Sequence, residues 1–244
     1  MIAKYFPDSL DVLIEGDARP KTPWVSRDFL GLSASAKIGE RARSSLEEYT
    51  VGSCGPRGFY GTTTAHLQLE TSIAKFLGTE EAITYSDETA TICSVIPAFA
   101  KRGDVLLVDA GVSWGIQQGS WLARAKVVWW AHNDVEDLAA KLEAVREADL
   151  KRPGSSIAQR RFIVVEGLYA SSGALCPLPK IVELAKKYHW RIILDDSLGF
   201  GVLGVRHCPT PPQRPHFRFA FHYPPLPPPP PPHTPRSLNM CVFA

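Results

Sequence analysis

The sequence predicts an α/β fold: a mostly parallel sheet flanked by helices, followed by a disordered proline-rich tail. Three observations predict it. Short Val-, Ile- and Leu-rich runs recur without polar alternation, as in strands buried on both faces. Helical patterns separate them, which is the alternation of an α/β layer structure. The composition also breaks near Gly204. Residues 205–244 hold 13 of the 21 prolines, four arginines and no Asp or Glu, a net charge of +4; residues 1–204 carry 23 Lys/Arg against 25 Asp/Glu, a net charge of −2.

The elements follow in order. Residues 36–49 (AKIGERARSSLEEY) read as an amphipathic helix. A glycine-rich turn, 51–62 (VGSCGPRGFYGT), leads into a second helix with His66, Leu69, Ile73 and Phe76 on one side. AITY (82–85) reads as a strand, 89–100 as a helix, VLLV (105–108) as a strand, Ile116–Ala123 as a helix and KVVWW (126–130) as a strand. NDVEDLAAKLEAVREA (133–148) is the clearest helix, capped by Asn133 or Asp134. FIVVE (162–166) is a strand, 177–189 a helix with proline in its first turn, and RIILDD (191–196) a strand. This gives an N-terminal segment (1–35), a core region (36–204) and a tail (205–244). PPLPPPPPP (224–232) can form only polyproline helix or coil, because proline fixes φ and removes the donor.

Composition excludes several classes. A net charge of +2 over 244 residues gives no argument for nucleic acid. No apolar run reaches the roughly 18 residues of a membrane helix, and the first residues are not built like a signal peptide. The five cysteines contain no C-x-x-C pair, so no metal site is expected, and a reducing compartment suits them.

In a parallel sheet ligands bind beyond the carboxyl ends of the strands. That directs attention to Ser86–Thr89, Asp109–Ser113, Glu166–Ser172 and Asp195–Ser197. GFGVLG (199–204) has the letters of a dinucleotide fingerprint, but VRHCPTPP follows where a helix should begin, and no acid follows Asp196. Its glycines are read as permitting a tight turn. Asp195-Asp196 either caps the next turn or places a carboxylate under a heterocycle, where it would hold a pyridinium nitrogen protonated. SCGPRGFYGTTTAH (53–66) joins three glycines to an arginine and two aromatics, the make-up of a loop that approaches a ligand or another subunit. His66 is either a core histidine or faces a site.

These strings occur together in one order: VGSCGPRGFYGT (51–62), H-L-x-L-E (66–70), YS (85–86), IPAFAKRGDVLLVD (96–109), GIQQG (115–119), HND (132–134), RRFIVVEGLYASSGALCPLP (160–179) and DDSLGFGVLG (195–204). In that order and spacing the chain resembles the α-oxoamine synthases, pyridoxal-phosphate (PLP) enzymes of fold type I. Within them it is similar to the long-chain-base subunit 1 branch of the serine palmitoyltransferases. The resemblance covers residues 24–204. It implies an incomplete fold type I large domain, truncated at both ends and lacking the family's membrane anchor and small domain.

The resemblance also implies the chemistry. The family condenses an amino acid with an acyl-CoA, and for subunit 1 this means L-serine and a long-chain acyl-CoA in sphingolipid biosynthesis. Such a site needs a Schiff-base lysine, a ring-nitrogen carboxylate, a stacking aromatic and phosphate donors. Asp195 matches the ring-nitrogen position as a vestige. Ser113 stands where catalytic members stack a histidine, Leu198 replaces a second histidine, and no lysine follows Lys187. Ser86-Asp87-Glu88-Thr89 replaces a glycine-rich phosphate loop, and it departs even from the aromatic and glycine usual in subunit 1. No catalytic residue and no PLP are therefore expected on this chain alone. PLP would sit in a partner of the long-chain-base subunit 2 type, as a heterodimer at the cytosolic face of the endoplasmic reticulum, with membrane contact only through partners. Cys54, Gly55, Pro56, Arg57, Gly58, Phe59, Tyr60, Gly61, Thr62 and His66 are the expected interface to that partner's active site, with Arg57 suited to bidentate binding of a carboxylate or phosphate. Three other readings stand beside this one: a truncated or misassembled product without activity, an interaction module whose polyproline tail is read by SH3- or WW-type grooves, and a stand-alone PLP transferase in which a remote lysine (Lys75, Lys101 or Lys126) would have to reach the ring.

Overall fold

The computed structural model describes residues 28–151, 159–203 and 240–243. Strands Val105–Asp109 (β1), Lys126–Trp130 (β2), Arg161–Glu166 (β3), Arg191–Asp195 (β4) and Met240–Phe243 (β5) form one sheet. Their order is β2-β1-β3-β4-β5, and every neighbouring pair is parallel. The helices are Ala36–Tyr49 (α1), Thr64–Leu77 (α2), Glu88–Phe99 (α3), Trp114–Leu122 (α4), Val135–Lys151 (α5) and Leu178–Tyr188 (α6).

Strand periodicity sorts the core into two layers. Leu107, Ile163, Val165, Ile192 and Leu194 face one way and meet Leu138 and Leu142 of α5 and Ile181 of α6. Leu106, Val108, Phe162, Val164 and Ile193 face the other way and meet Ile92 and Ile96 of α3 and Ile116 of α4. Both faces are covered, which is why the strands carry unbroken apolar runs. The α3–α4 contact is unusually close, and Gly119 of the GIQQG string permits it. A Cβ there would lie 2.8 Å from the Ile92 carbonyl oxygen and 3.3 Å from the Cys93 Cα.

The sequence expectations and the structure differ at three places. AITY is not a strand: residues 81–85 carry no regular structure, and Thr84 gives its N–H to the Glu70 carboxylate at 2.9 Å instead of to a neighbouring strand. The expected apolar side of α2 is not a core face, because Leu69 and Phe76 are exposed and only Ala74 of that helix is buried. Met240–Phe243, read as tail, form β5 on the outer edge of β4, with Ile193 in register with Cys241. PPLPPPPPP lies outside the described residues.

Capping decides several boundaries. Asp134, one of the two expected caps, accepts the Glu136 and Asp137 N–H groups at 2.9 and 3.1 Å and starts α5. Residues 199–203 of GFGVLG form no helix of their own. They lie in a turn in which the Gly199 and Phe200 N–H groups return to the Asp196 carbonyl at 3.0 and 2.7 Å, as the glycines predicted.

Candidate functional site

The register brings β1, β3 and β4 to a common carboxyl edge, with Glu166 directly opposite Asp195. Asp109, Glu166 and Asp195 are all buried there. A buried carboxylate needs partners, and each has found a different set. Glu166 accepts the N–H groups of Ser113 and, at 3.0 Å, Ala170. Burial raises its pKa and these backbone bonds oppose the rise, with nearby Asp195 adding to it. Asp195 accepts the Ser197 N–H at 3.0 Å and the Ser197 hydroxyl at 2.5 Å, both through Oδ1. Burial, then the neighbouring Asp195 charge, push Asp196 up to about 6.

Asp109 anchors the largest network. Its Oδ1 accepts from the Gly111 N–H at 2.6 Å and sits 2.8 Å from His132 Nδ1; its Oδ2 accepts the Asn133 N–H and the Tyr169 hydroxyl, each at 2.9 Å. Tyr169 is fully buried and stands edge-on to His132, with ring centroids 4.5 Å apart. Burial pushes the adjacent Cys176 thiol up to about 12, the hydrogen bond with Tyr169 partly opposing. Gly111 is required beside the histidine, since a Cβ there would lie 2.2 Å from His132 Nδ1. Sequence reasoning pointed to the segments after β1 and β3 and missed this network. HND and LYASS were legible only as strings, because they lie far apart in sequence and meet through strand order.

The expected interface loop folds on itself. Arg57 makes a bidentate pair with Glu70 at 2.9 and 3.0 Å and also reaches the Thr84 hydroxyl at 2.7 Å. Its Nε donates to Thr62 at 3.1 Å, and Thr62 returns its hydroxyl to the Arg57 carbonyl at 2.7 Å. The guanidinium does bind a carboxylate bidentately, but that carboxylate belongs to this chain. The hydrogen bond from Arg57 chiefly holds Glu70 down to about 2, with Thr84 assisting. Gly61 is buried in the turn, where a Cβ would lie 1.7 Å from the Gly55 carbonyl oxygen. Cys54 is exposed with φ 68°, and Gly55, Pro56 and Gly58 complete the turn. The Phe59 and Tyr60 rings lie 4.0 Å apart, tilted at 53°, and are 71% and 70% exposed. His66 is half-buried at the start of α2. Its Nδ1 accepts the Thr63 N–H at 3.2 Å and lies 2.9 Å from the Thr63 hydroxyl, so it caps α2.

Ser113 and Asp87 also sit at helix starts. Ser113 is the N-cap residue of α4. Asp87 caps α3, accepting the Ala90 N–H at 2.8 Å, and this bond holds its carboxyl below the usual range. Capping accounts for Asp87-Glu88: an N-cap acceptor and a first-turn acid complement the helix dipole.

Such a sheet, flanked on both faces and bearing polar groups at one edge, defines a class of protein. The model of the aminotransferase class I and II family matches residues 20–212, and the chain belongs to that family. It is 48% identical over 188 residues to long chain base biosynthesis protein 1b of Oryza sativa subsp. japonica, covering 77% of this chain and 38% of that protein. It is 49% identical over 181 residues to long chain base biosynthesis protein 1 of Arabidopsis thaliana (74% and 37%), and 39% identical over 181 residues to serine palmitoyltransferase 1 of Saccharomyces cerevisiae (74% and 32%). The chain thus spans less than two-fifths of the length of these relatives. Among solved structures, the Sphingomonas wittichii serine palmitoyltransferase superposes with TM-score 0.63 at 29% identity, over 70% of this chain and 40% of the other. A Francisella tularensis 8-amino-7-oxononanoate synthase shares the fold at TM-score 0.55 and 21% identity, over 70% and 43%. A serine palmitoyltransferase from S. paucimobilis with a bound PLP–myriocin aldimine also matches, at TM-score 0.63 and 26% identity, over 70% and 40%. The family expected from the motif strings is the one found, and the sheet with its helices matches part of a fold type I large domain.

PLP is the cofactor this family implies, and the described residues do not fit it. Where the resemblance places the phosphate loop, the first turn of α3 is already capped by Asp87, with Glu88 beside it. A dianionic phosphate would meet two carboxylates there. Ser113 has no ring to stack.

Proposed function

We propose that this chain acts as a non-catalytic subunit of serine palmitoyltransferase, supporting a PLP-bearing subunit of the long-chain-base subunit 2 type in the condensation of L-serine with a long-chain acyl-CoA. The observation that carries the reading is the acidic cap of α3: the Ala90 N–H at the start of that helix is taken by the chain's own Asp87, with Glu88 beside it, where a cofactor phosphate would have to sit. Relatives named long chain base biosynthesis protein 1 and serine palmitoyltransferase 1 support the assignment. The exposed aromatic pair Phe59–Tyr60, carried by a self-bonded loop, supports a contact with the partner. Among the described residues no helix is long and apolar enough to cross a membrane; placement at the endoplasmic reticulum would come through that partner.

Co-expression with a lysine-bearing long-chain-base subunit 2 tests the reading. The expected result is a complex that survives gel filtration, weakened by Phe59→Ala with Tyr60→Ala. The chain purified alone is expected to show no aldimine absorption band. A band on the isolated chain that disappears on borohydride reduction would overturn the proposal.

A further inference from the structure

The Asp109 network continues outward to a hydroxyl. His132 Nε2 lies 3.0 Å from Ser172 Oγ, while His132 Nδ1 lies 2.8 Å from Asp109 Oδ1. Burial is graded along this line: the Asp109 side chain is fully buried, that of His132 is 31% exposed, and Ser172 is exposed. Three donors, the Gly111 and Asn133 N–H groups and the Tyr169 hydroxyl, already bond the Asp109 carboxylate, which has only acceptor sites to offer His132 Nδ1. The proton of the neutral imidazole is thereby fixed on Nδ1, and Nε2 is left to accept from Ser172. Tyr169 against the ring and the bare Cα of Gly111 beside it hold the imidazole in this orientation. A carboxylate that sets the tautomer, an imidazole acting as base and an accessible serine hydroxyl are the parts of an activated nucleophile.

The geometry points to Ser172 as a nucleophile for activated acyl esters or thioesters, with His132 as its general base and Asp109 as the positioning residue. In the first step Ser172 Oγ bonds to the acyl carbon and its proton passes to His132 Nε2. The bond from that carbon to the leaving oxygen or sulfur breaks, and the leaving group departs with the proton from His132. Water then attacks the acyl-serine by the same two transfers, releasing the carboxylic acid and restoring the hydroxyl. No cofactor enters, so the inference is independent of the subunit role proposed above.

The test uses the whole 244-residue chain with p-nitrophenyl acetate and with a fluorophosphonate probe, the modified residue being located by peptide mass spectrometry. Acylation and phosphonylation are expected on Ser172. Ser172→Ala, a change at an exposed position, is expected to abolish both and leave the circular dichroism spectrum unchanged. His132→Gln is expected to slow labelling by about 10²-fold. Asp109→Asn is expected to move the His132 proton from Nδ1 to Nε2, read from the imidazole 15N shifts, and to slow labelling in parallel. Labelling shared equally with Ser171, or rates unchanged in Ser172→Ala or His132→Gln, would overturn the assignment.

Discussion

Two carboxylates show how local partners set opposite pH dependences. Glu70 is held near 2, chiefly by its hydrogen bond from Arg57, well below its ordinary value of 4.5. Its contribution to stability is full above about pH 4.5 and is lost as the pH falls towards 2. Glu70→Gln should remove that slope and cost about 1 kcal/mol at pH 7, read from urea unfolding. Asp196 is raised from 3.8 to about 6, mainly by burial. Its relative contribution is complete below about pH 4 and is lost as the pH rises through 6. Asp196→Asn should therefore stabilise by about 1–2 kcal/mol at pH 8 and by little at pH 3, measured in the same assay. A third case is conformational. His189 ends α6 in the left-handed region at φ 59°, ψ 40°. His189→Gly should raise stability by about 0.5–1 kcal/mol, seen as a higher unfolding midpoint.

At the scale of elements, α3 and α4 depend on one missing side chain. Gly119→Ala places a methyl group against the Ile92 carbonyl oxygen and the Cys93 backbone. It should cost about 1–3 kcal/mol in denaturant unfolding, despite alanine's better helix propensity. The sequence made most elements legible because their apolar periods are long and their caps are local. α1, α5 and all four strands of the central block fall within a few residues of the reading. Other features depend on partners distant in sequence. AITY has the composition of a strand, but Thr84 is taken by Glu70. The apolar positions of α2 have helical spacing, but no layer of the sheet lies over them. His66 reads from its neighbours as a core or a site-facing residue, and its bond to the Thr63 N–H in the cap of α2 is not legible there. Asp109 and Ser172 were visible after their strands and His132 only within the HND string, but the order β2-β1-β3 that brings them together is not written in any local pattern.

The whole molecule has an uneven distribution of packing. Its sheet is buried on two faces, whereas α1 has no buried residue and α2 has only Ala74. The outer edge of β4 is covered by Met240–Phe243. Deleting residues 240–244 should leave that edge open and raise self-association, visible as larger species in sedimentation velocity; an unchanged monomer would show that the strand does not protect the edge. The contrast between core and periphery also has a consequence in time. Amide protons of β1 and β3 should exchange only when the entire structure opens, while those of α1, α2 and the glycine turn escape through small, frequent openings. A molecule docking on Phe59 and Tyr60 would quiet those fluctuations, so its arrival would register as slowed deuterium uptake in 36–77 with no change at the centre of the sheet.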